Sequence, residues 1–155
     1  MSRGRGRLLS RTALLAVLTA ATGCSGAVAL AEPEPDAGGR ATCTALLAAL
    51  PDHVLESTRR PTEPGVLTRA WGDPPITLRC GVEPPPGLTP SSECLEVNGV
   101  GWLSEDAEGG VLFTTVGRVV FVEVGVPHAY APEVNPLVDL AAAVSAHDAL
   151  VQSCR

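Results

Sequence analysis

Four cysteines, Cys43, Cys80, Cys94 and Cys154, follow an export-type N-terminus, and together they restrict what this chain can fold into. An even number of cysteines in an exported body reads as two disulfides. The fold must then bring two pairs of separated residues within covalent reach. Three pairings are open to four cysteines. The favoured one joins Cys80 to Cys94, closing the proline-rich loop "CGVEPPPGLTPSSEC", and Cys43 to Cys154, tying the first helix to the last. In the chain-entropy model the shorter loop contributes about 3 kcal/mol and the longer about 4 to 5 kcal/mol. Metal binding is the weaker reading. No C-x-x-C pair occurs, and His53, His128 and His147 are not at ligand spacing. No metal or other cofactor is expected.

Residues 1–31 read as an address rather than as part of a domain. Arg3, Arg5, Arg7 and Arg11 precede an apolar run from Thr12 to Thr22, the pattern of an export signal. Three fates are consistent with it. "ATGC" resembles a lipobox in which Cys24 is lipidated and becomes the first mature residue, although Ala21 stands where leucine is usual. "ALA" at Ala29–Ala31 fits a peptidase site that would release a secreted form beginning at Glu32. The apolar stretch from Thr12 to Ala31 is about 20 residues, enough to span a bilayer as an anchor. Each fate places the body outside the cytoplasm, and two attach it to the membrane. Residues 32–41, "EPEPDAGGRA", read as a disordered linker, and residues 42–155 as a single domain.

From Glu32 onward the chain carries seven arginines against seventeen acids, a net charge of −10. Such a body repels nucleic acid and anionic lipid headgroups, so no nucleic-acid partner is expected. Aromatics are only 3% of the chain, so the core must be built from Leu, Val and Ala.

Apolar residues at 43, 46, 47, 50 and 54 have helical spacing, with Thr42 as the cap and Pro51 near the end. Val66–Trp71 reads as a strand. "GDPP" is a turn, and "ITLRCGV" then alternates, placing Ile76, Leu78, Cys80 and Val82 on one face and Arg79 on the other. Asn98-Gly99 predicts a two-residue hairpin. "SEDAEGG" reads as an acidic surface loop. A second hairpin turns near Gly117-Arg118 and returns with Val120, Val122, Val124 and Val126 on one face, ending at Pro127. Asn135 caps a last helix whose stripe is Leu137, Leu140, Ala141, Val144 and Val151, with Cys154 on the same side. The fold class is α+β: two layers, an antiparallel sheet of about five strands, and N- and C-terminal helices on one face.

No nucleophile elbow, S-x-x-K, H-E-x-x-H or phosphate loop is present. Ser145, His147 and Asp148 do not share a helix face in a catalytic order. His128 beside Tyr130, and Asp73 with Arg79, are polar residues for which loop and turn positions are sufficient explanation. Trp71 and Trp102 are volume fillers for a core short of aromatics. Arg79 has no structural duty on the outer sheet face, so Arg79 and an exposed edge of Trp71 are the candidate ligand contacts.

The segments "CTALLAALPDHV", "RAWGDPPITLRCGV", "CLEVNGVGWL", "FTTVGR" and "VEVGVP" together resemble the DUF3515 family of actinobacterial exported proteins over about residues 43–154. Val119 stands after Arg118 where the family pattern has proline. The resemblance implies a small envelope protein anchored to the membrane by a segment or a lipid, with no assigned activity and no catalytic residues to carry over. The function expected is a non-catalytic binding or assembly module of the cell envelope, with an envelope protein or glycan as partner. The alternative is an envelope enzyme using His128 or Asp73.

Overall fold

A computed structural model describes Met1, residues 26–89 and residues 92–153. The chain runs through β1 (Val28–Ala29), α1 (Ala37–Ala49), β2 (His53–Val54), β3 (Ser57–Arg60), β4 (Thr62–Glu63), β5 (Thr68–Trp71), β6 (Ile76–Val82), β7 (Leu95–Val97), β8 (Val100–Ala107), β9 (Gly110–Val116) and β10 (Phe121–Pro127). A single 3-10 turn, His128–Tyr130, leads to α2 (Asn135–His147). The class is α+β as expected, with a larger sheet. Eight strands lie in the order β2-β3-β5-β6-β10-β9-β8-β7, antiparallel throughout, and β1 and β4 form a separate two-stranded parallel pair.

Period-two sequence explains the central strands. In β6, Ile76, Leu78 and Cys80 are buried while Thr77 and Arg79 alternate outward, and in β10 Val122, Val124 and Val126 are buried while Glu123 and Gly125 alternate. The two helices cover the inner face. α1 packs on α2 and on β6, and α2 reaches β2, β7 and β8. Leu46, Leu47, Leu78, Leu137, Leu140 and both tryptophans are each at most 1% exposed, so the aromatic-poor core is nonetheless closed. Asn98 and Gly99 both take positive φ, 48° and 77°, which makes the predicted β7–β8 hairpin.

Several expectations need correction. The expected disulfides do not form: Cys43 is bonded to Cys80, with Cα atoms 5.6 Å apart. Both residues face the core, one from α1 and one from β6, where the helix packs on the strand. A Cys80–Cys94 bond is ruled out by topology. β10, β9 and β8 separate β6 from β7, so the strands lie four spacings apart, about 19 Å, far beyond disulfide reach. Cys43 is likewise unavailable to Cys154. Cys94 is itself disulfide-bonded; Cys24 and Cys154 lie outside the described residues.

The expected linker is part of the fold. Helix α1 starts at Ala37, capped by the Asp36 carboxylate, which accepts from Gly39 N at 2.7 Å; Thr42 lies inside the helix. Upstream, Val28 N donates to Pro61 O at 2.9 Å and Leu30 N to Glu63 O at 3.1 Å. The Glu32 carboxylate accepts from Leu67 N, and Pro33 is buried. Pro35 sits so close to Gly81 that a Cβ there would lie 2.6 Å from its Cγ.

"SEDA" is the end of β8 rather than a loop, with only Glu108-Gly109 turning into β9. α2 begins with Asn135 as its first helical residue, after Val134, and ends at His147. The predicted continuation toward Cys154 is not helical, and Val151 is 71% exposed rather than part of the stripe. Instead, residues 148–152 fasten onto the β9–β10 turn. Val151 N and Gln152 N both donate to Gly117 O, and Val119 N donates to Ala149 O. Val82, expected on the buried face, is only half-buried.

Candidate functional site

The helices leave the outer face of the sheet uncovered, and the registers decide what stands on it. Thr68 lies opposite Arg79, Arg79 opposite Glu123, and Glu123 opposite Thr114, so these residues form one row across β5, β6, β10 and β9. The next row places Thr77 opposite Gly125, Gly125 opposite Leu112 and Leu112 opposite Glu105. Side chains in a row share a face.

At the centre, Arg79 and Glu123 are joined by two bonds to one carboxylate oxygen. Arg79 Nε donates to Glu123 Oε1 at 2.9 Å and a terminal nitrogen approaches the same oxygen at 2.8 Å. Arg79 is 29% exposed and Glu123 18%, so the pair is partly desolvated and held in place.

The β6–β7 connection builds a wall over this row. Because β6 and β7 are not neighbours, the connection between them must pass three strands. Its first part, residues 83–87, lies on the outer side, with Gly87 close to the Glu105 carboxylate. Pro84, Pro85 and Pro86 stiffen the start of that crossing. On the other rim stand Pro33 and Glu34 of the N-terminal strap. Between wall and sheet lies a groove of about 560 Å³ floored by Arg79, Glu123, Thr114 and Leu112. A shallower hollow of about 190 Å³ continues from Leu112 past Gly125 and Thr77. The hollow exists because Gly125 has no side chain; a Cβ there would lie 2.7 Å from Thr77 Oγ1.

The groove carries four carboxylates (Glu34, Glu83, Glu105 and Glu123) and one guanidinium. It therefore disfavours phosphate, nucleic acid and other polyanions and suits neutral or cationic ligands rich in hydrogen-bonding groups.

Of the two ligand contacts expected from sequence, Arg79 is in the groove and Trp71 is not. Trp71 is fully buried, and its Nε1 donates to Pro51 O at 3.1 Å. It has no exposed edge, because its position opposite Ile76 puts it on the helix-covered face. Trp102 is equally buried. Asp73 is not paired with Arg79. It approaches Arg60 at 3.6 Å, while Arg60 also donates to Gly72 O at 3.0 Å. His128 Nδ1 meets Glu133 Oε1 at 2.6 Å. This bond, joined by a backbone bond at Glu133 itself, holds the Glu133 carboxyl below the usual range. No hydrogen bond or ion pair joins His128 to Asp73 among the described residues. His53 and His147 are exposed. No cluster of His, Cys, Asp and Glu able to hold a metal occurs among the described residues. Cys24, the lipidation candidate, lies outside them.

A second polar feature was not expected from sequence. Arg59, Arg60 and Arg69 gather at the β3–β5 edge of the sheet. Arg59 donates to Pro51 O at 2.9 Å and to Leu50 O, capping the end of α1. Burial first, and then the neighbouring Arg59, lower the pKa of Arg69, with Glu32 acting in the opposite direction. The signal was present in "STRRPT", but short strands bearing arginines do not show an apolar period.

The family model "Protein of unknown function (DUF3515)" matches residues 8–152, nearly the whole chain, and the protein belongs to that family. No curated protein and no solved structure matches it. The Cys43–Cys80 bond suits an oxidising, extracytoplasmic setting. Among the described residues no helix is long and apolar enough to cross a membrane.

Proposed function

We propose that this protein is an exported, membrane-associated module of the cell envelope that binds rather than catalyses, and that the outer-sheet groove is its ligand face. The observation that carries the reading is the Arg79–Glu123 pair, fixed on two central strands at the floor of a groove of about 560 Å³. Its volume falls within the ordinary range of ligand sites, roughly 300 to 1,000 Å³. Rigid strands and a proline wall hold the groove open without a ligand, which lowers the ordering cost of binding. Carboxylates and a guanidinium in a groove otherwise lined by proline, threonine and leucine favour a polyhydroxylated ligand, and an envelope glycan is the class that fits. The catalytic alternative draws no support from His128 or Asp73, each of which has its own partner.

The test is a titration of the isotope-labelled protein with soluble neutral and amino-sugar oligosaccharides from cell-wall digests, followed by NMR. Shifts are expected at Arg79, Leu112, Thr114 and Glu123, with at least a tenfold weaker affinity for Arg79→Ala, since a lost charge-assisted bond is worth about 1.5 to 3 kcal/mol. Shifts confined to His128 and Asp73, or an Arg79→Ala protein that binds as well as the wild type, would sink the reading.

A further inference from the structure

An attached domain can hang from a flexible stalk or rest directly on the lipid, and the N-terminal strap discriminates between the two. Gly26 O accepts from Arg60 at 3.1 Å, β1 pairs with β4, Glu32 holds Leu67 N, and Pro35 packs on Gly81. The chain is thus bonded to the body from Gly26 onward. Two of the three fates of the N-terminus conflict with this. A membrane span ending before Gly26 leaves only fourteen residues from Thr12, about 21 Å of helix against a hydrocarbon core of about 30 Å. Cleavage after Ala31 would remove β1 and leave the β4 carbonyls and Arg60 without these partners.

Resting on the membrane-associated reading above, we infer that the tie to the bilayer arrives at Gly26 with no stalk, so that the corner made by β1, β3 and β4 is the surface seated on the lipid headgroups. A covalent attachment two residues upstream would lie within about 7 Å of Gly26. Val66, 59% exposed between β4 and β5, adds an apolar contact at the same corner.

The experiment uses the full chain, exported by a bacterial host and recovered from membranes. It is reconstituted into phosphatidylglycerol–phosphatidylcholine vesicles carrying a photoreactive headgroup, and labelled peptides are mapped by mass spectrometry, together with the mature N-terminus. β3 and β8 are five strand spacings apart, about 24 Å. Labelling of residues 56–69 is accordingly expected to exceed that of 101–110 severalfold, because the far edge stands that distance away from the seated corner. A ten-residue Gly/Ser spacer inserted before Gly26 should bring the ratio toward one, because such a spacer spans about 17 Å. Even or reversed labelling of membrane-bound protein overturns the seating while leaving membrane association intact. Protein recovered free of membranes with Glu32 as its first residue overturns both.

Discussion

Removing the Cys43–Cys80 bond by the double substitution Cys43→Ala/Cys80→Ala gives a loss that can be worked out from the fold. The bond joins residues 37 apart, and closing such a loop in the unfolded chain corresponds to about 4 kcal/mol. Both sulfurs lie in the core at 0% exposure, so replacing them with methyl groups adds roughly 1 to 2 kcal/mol of lost packing. The total of about 5 to 6 kcal/mol is comparable to the whole stability of a small domain, about 5 to 15 kcal/mol. Everything from β2 to β5 lies inside the loop. That edge of the sheet should therefore open first, and its amides should exchange faster than those of β8–β10. The assay is urea unfolding at 15 °C under oxidising conditions, read by tryptophan fluorescence, since Trp71 and Trp102 are both fully buried. The denaturant slope should rise because the unfolded state loses a crosslink. A loss below about 1.5 kcal/mol with an unchanged slope would refute the loop argument.

Asp36→Ala should cost about 1 kcal/mol, because it removes the cap bond to Gly39 N; thermal unfolding checks this, and an unchanged midpoint would contradict the placement of the helix start. With Cys43 and Cys80 joined and Cys94 also bonded, non-reducing peptide mapping should recover Cys94 linked to Cys154; a Cys94–Cys24 peptide would refute that pairing and the lipidation of Cys24 together. Asp148 is 1% exposed and its Oδ1 accepts from Val119 N and Val120 N, while its Oδ2 has no partner among the described residues. Burial raises its pKa, against the pull of those bonds and of Arg118. A raised folded pKa means that the native state holds the proton more tightly, so this group's contribution is greatest at acid pH and falls as pH rises through the folded value. Relative to Asp148→Asn, the wild type should lose stability over the window just above the usual aspartate range; a relative gain there would refute the assignment.

Much of the inner face was legible because burial imposes a period. Val120, Val122, Val124 and Val126 announced β10, and Leu137, Leu140, Ala141 and Val144 announced α2. The same patterns held the clue to the real disulfide. Cys43 shares a helical stripe with Leu46 and Leu47, and Cys80 alternates with Ile76 and Leu78, so both pointed into one core. The favoured pairing treated β6 and β7 as neighbours, and topology is what period cannot supply. A proline-rich connection is compatible with a short staple and with a crossing over three strands. The strap at 26–36 was missed for a related reason. Its bonds run from backbone groups, the Glu32 and Asp36 carboxylates and proline surfaces, none of which leaves an apolar pattern, so composition alone suggested disorder.

The site was legible only in part, and the split follows from geometry. Arg79 alternates with buried residues, so its outward direction followed from a two-residue period, and the structure places it on the open face. Its partner could not be inferred. Glu123 is 44 residues away, and only the pairing of β6 with β10 in the observed register brings the two side chains together. Trp71 fills the core as expected, but the exposed edge expected of it is absent, because a strand residue beside a turn can face either way. The β3 register, with Arg59 opposite Trp71, and the bond from its indole to Pro51 O turn it inward. A ligand face on this fold is therefore a property of strand order. The sheet order that excludes a Cys80–Cys94 bond also carries the proline loop across the outer face, and that crossing turns a flat row of side chains into a groove.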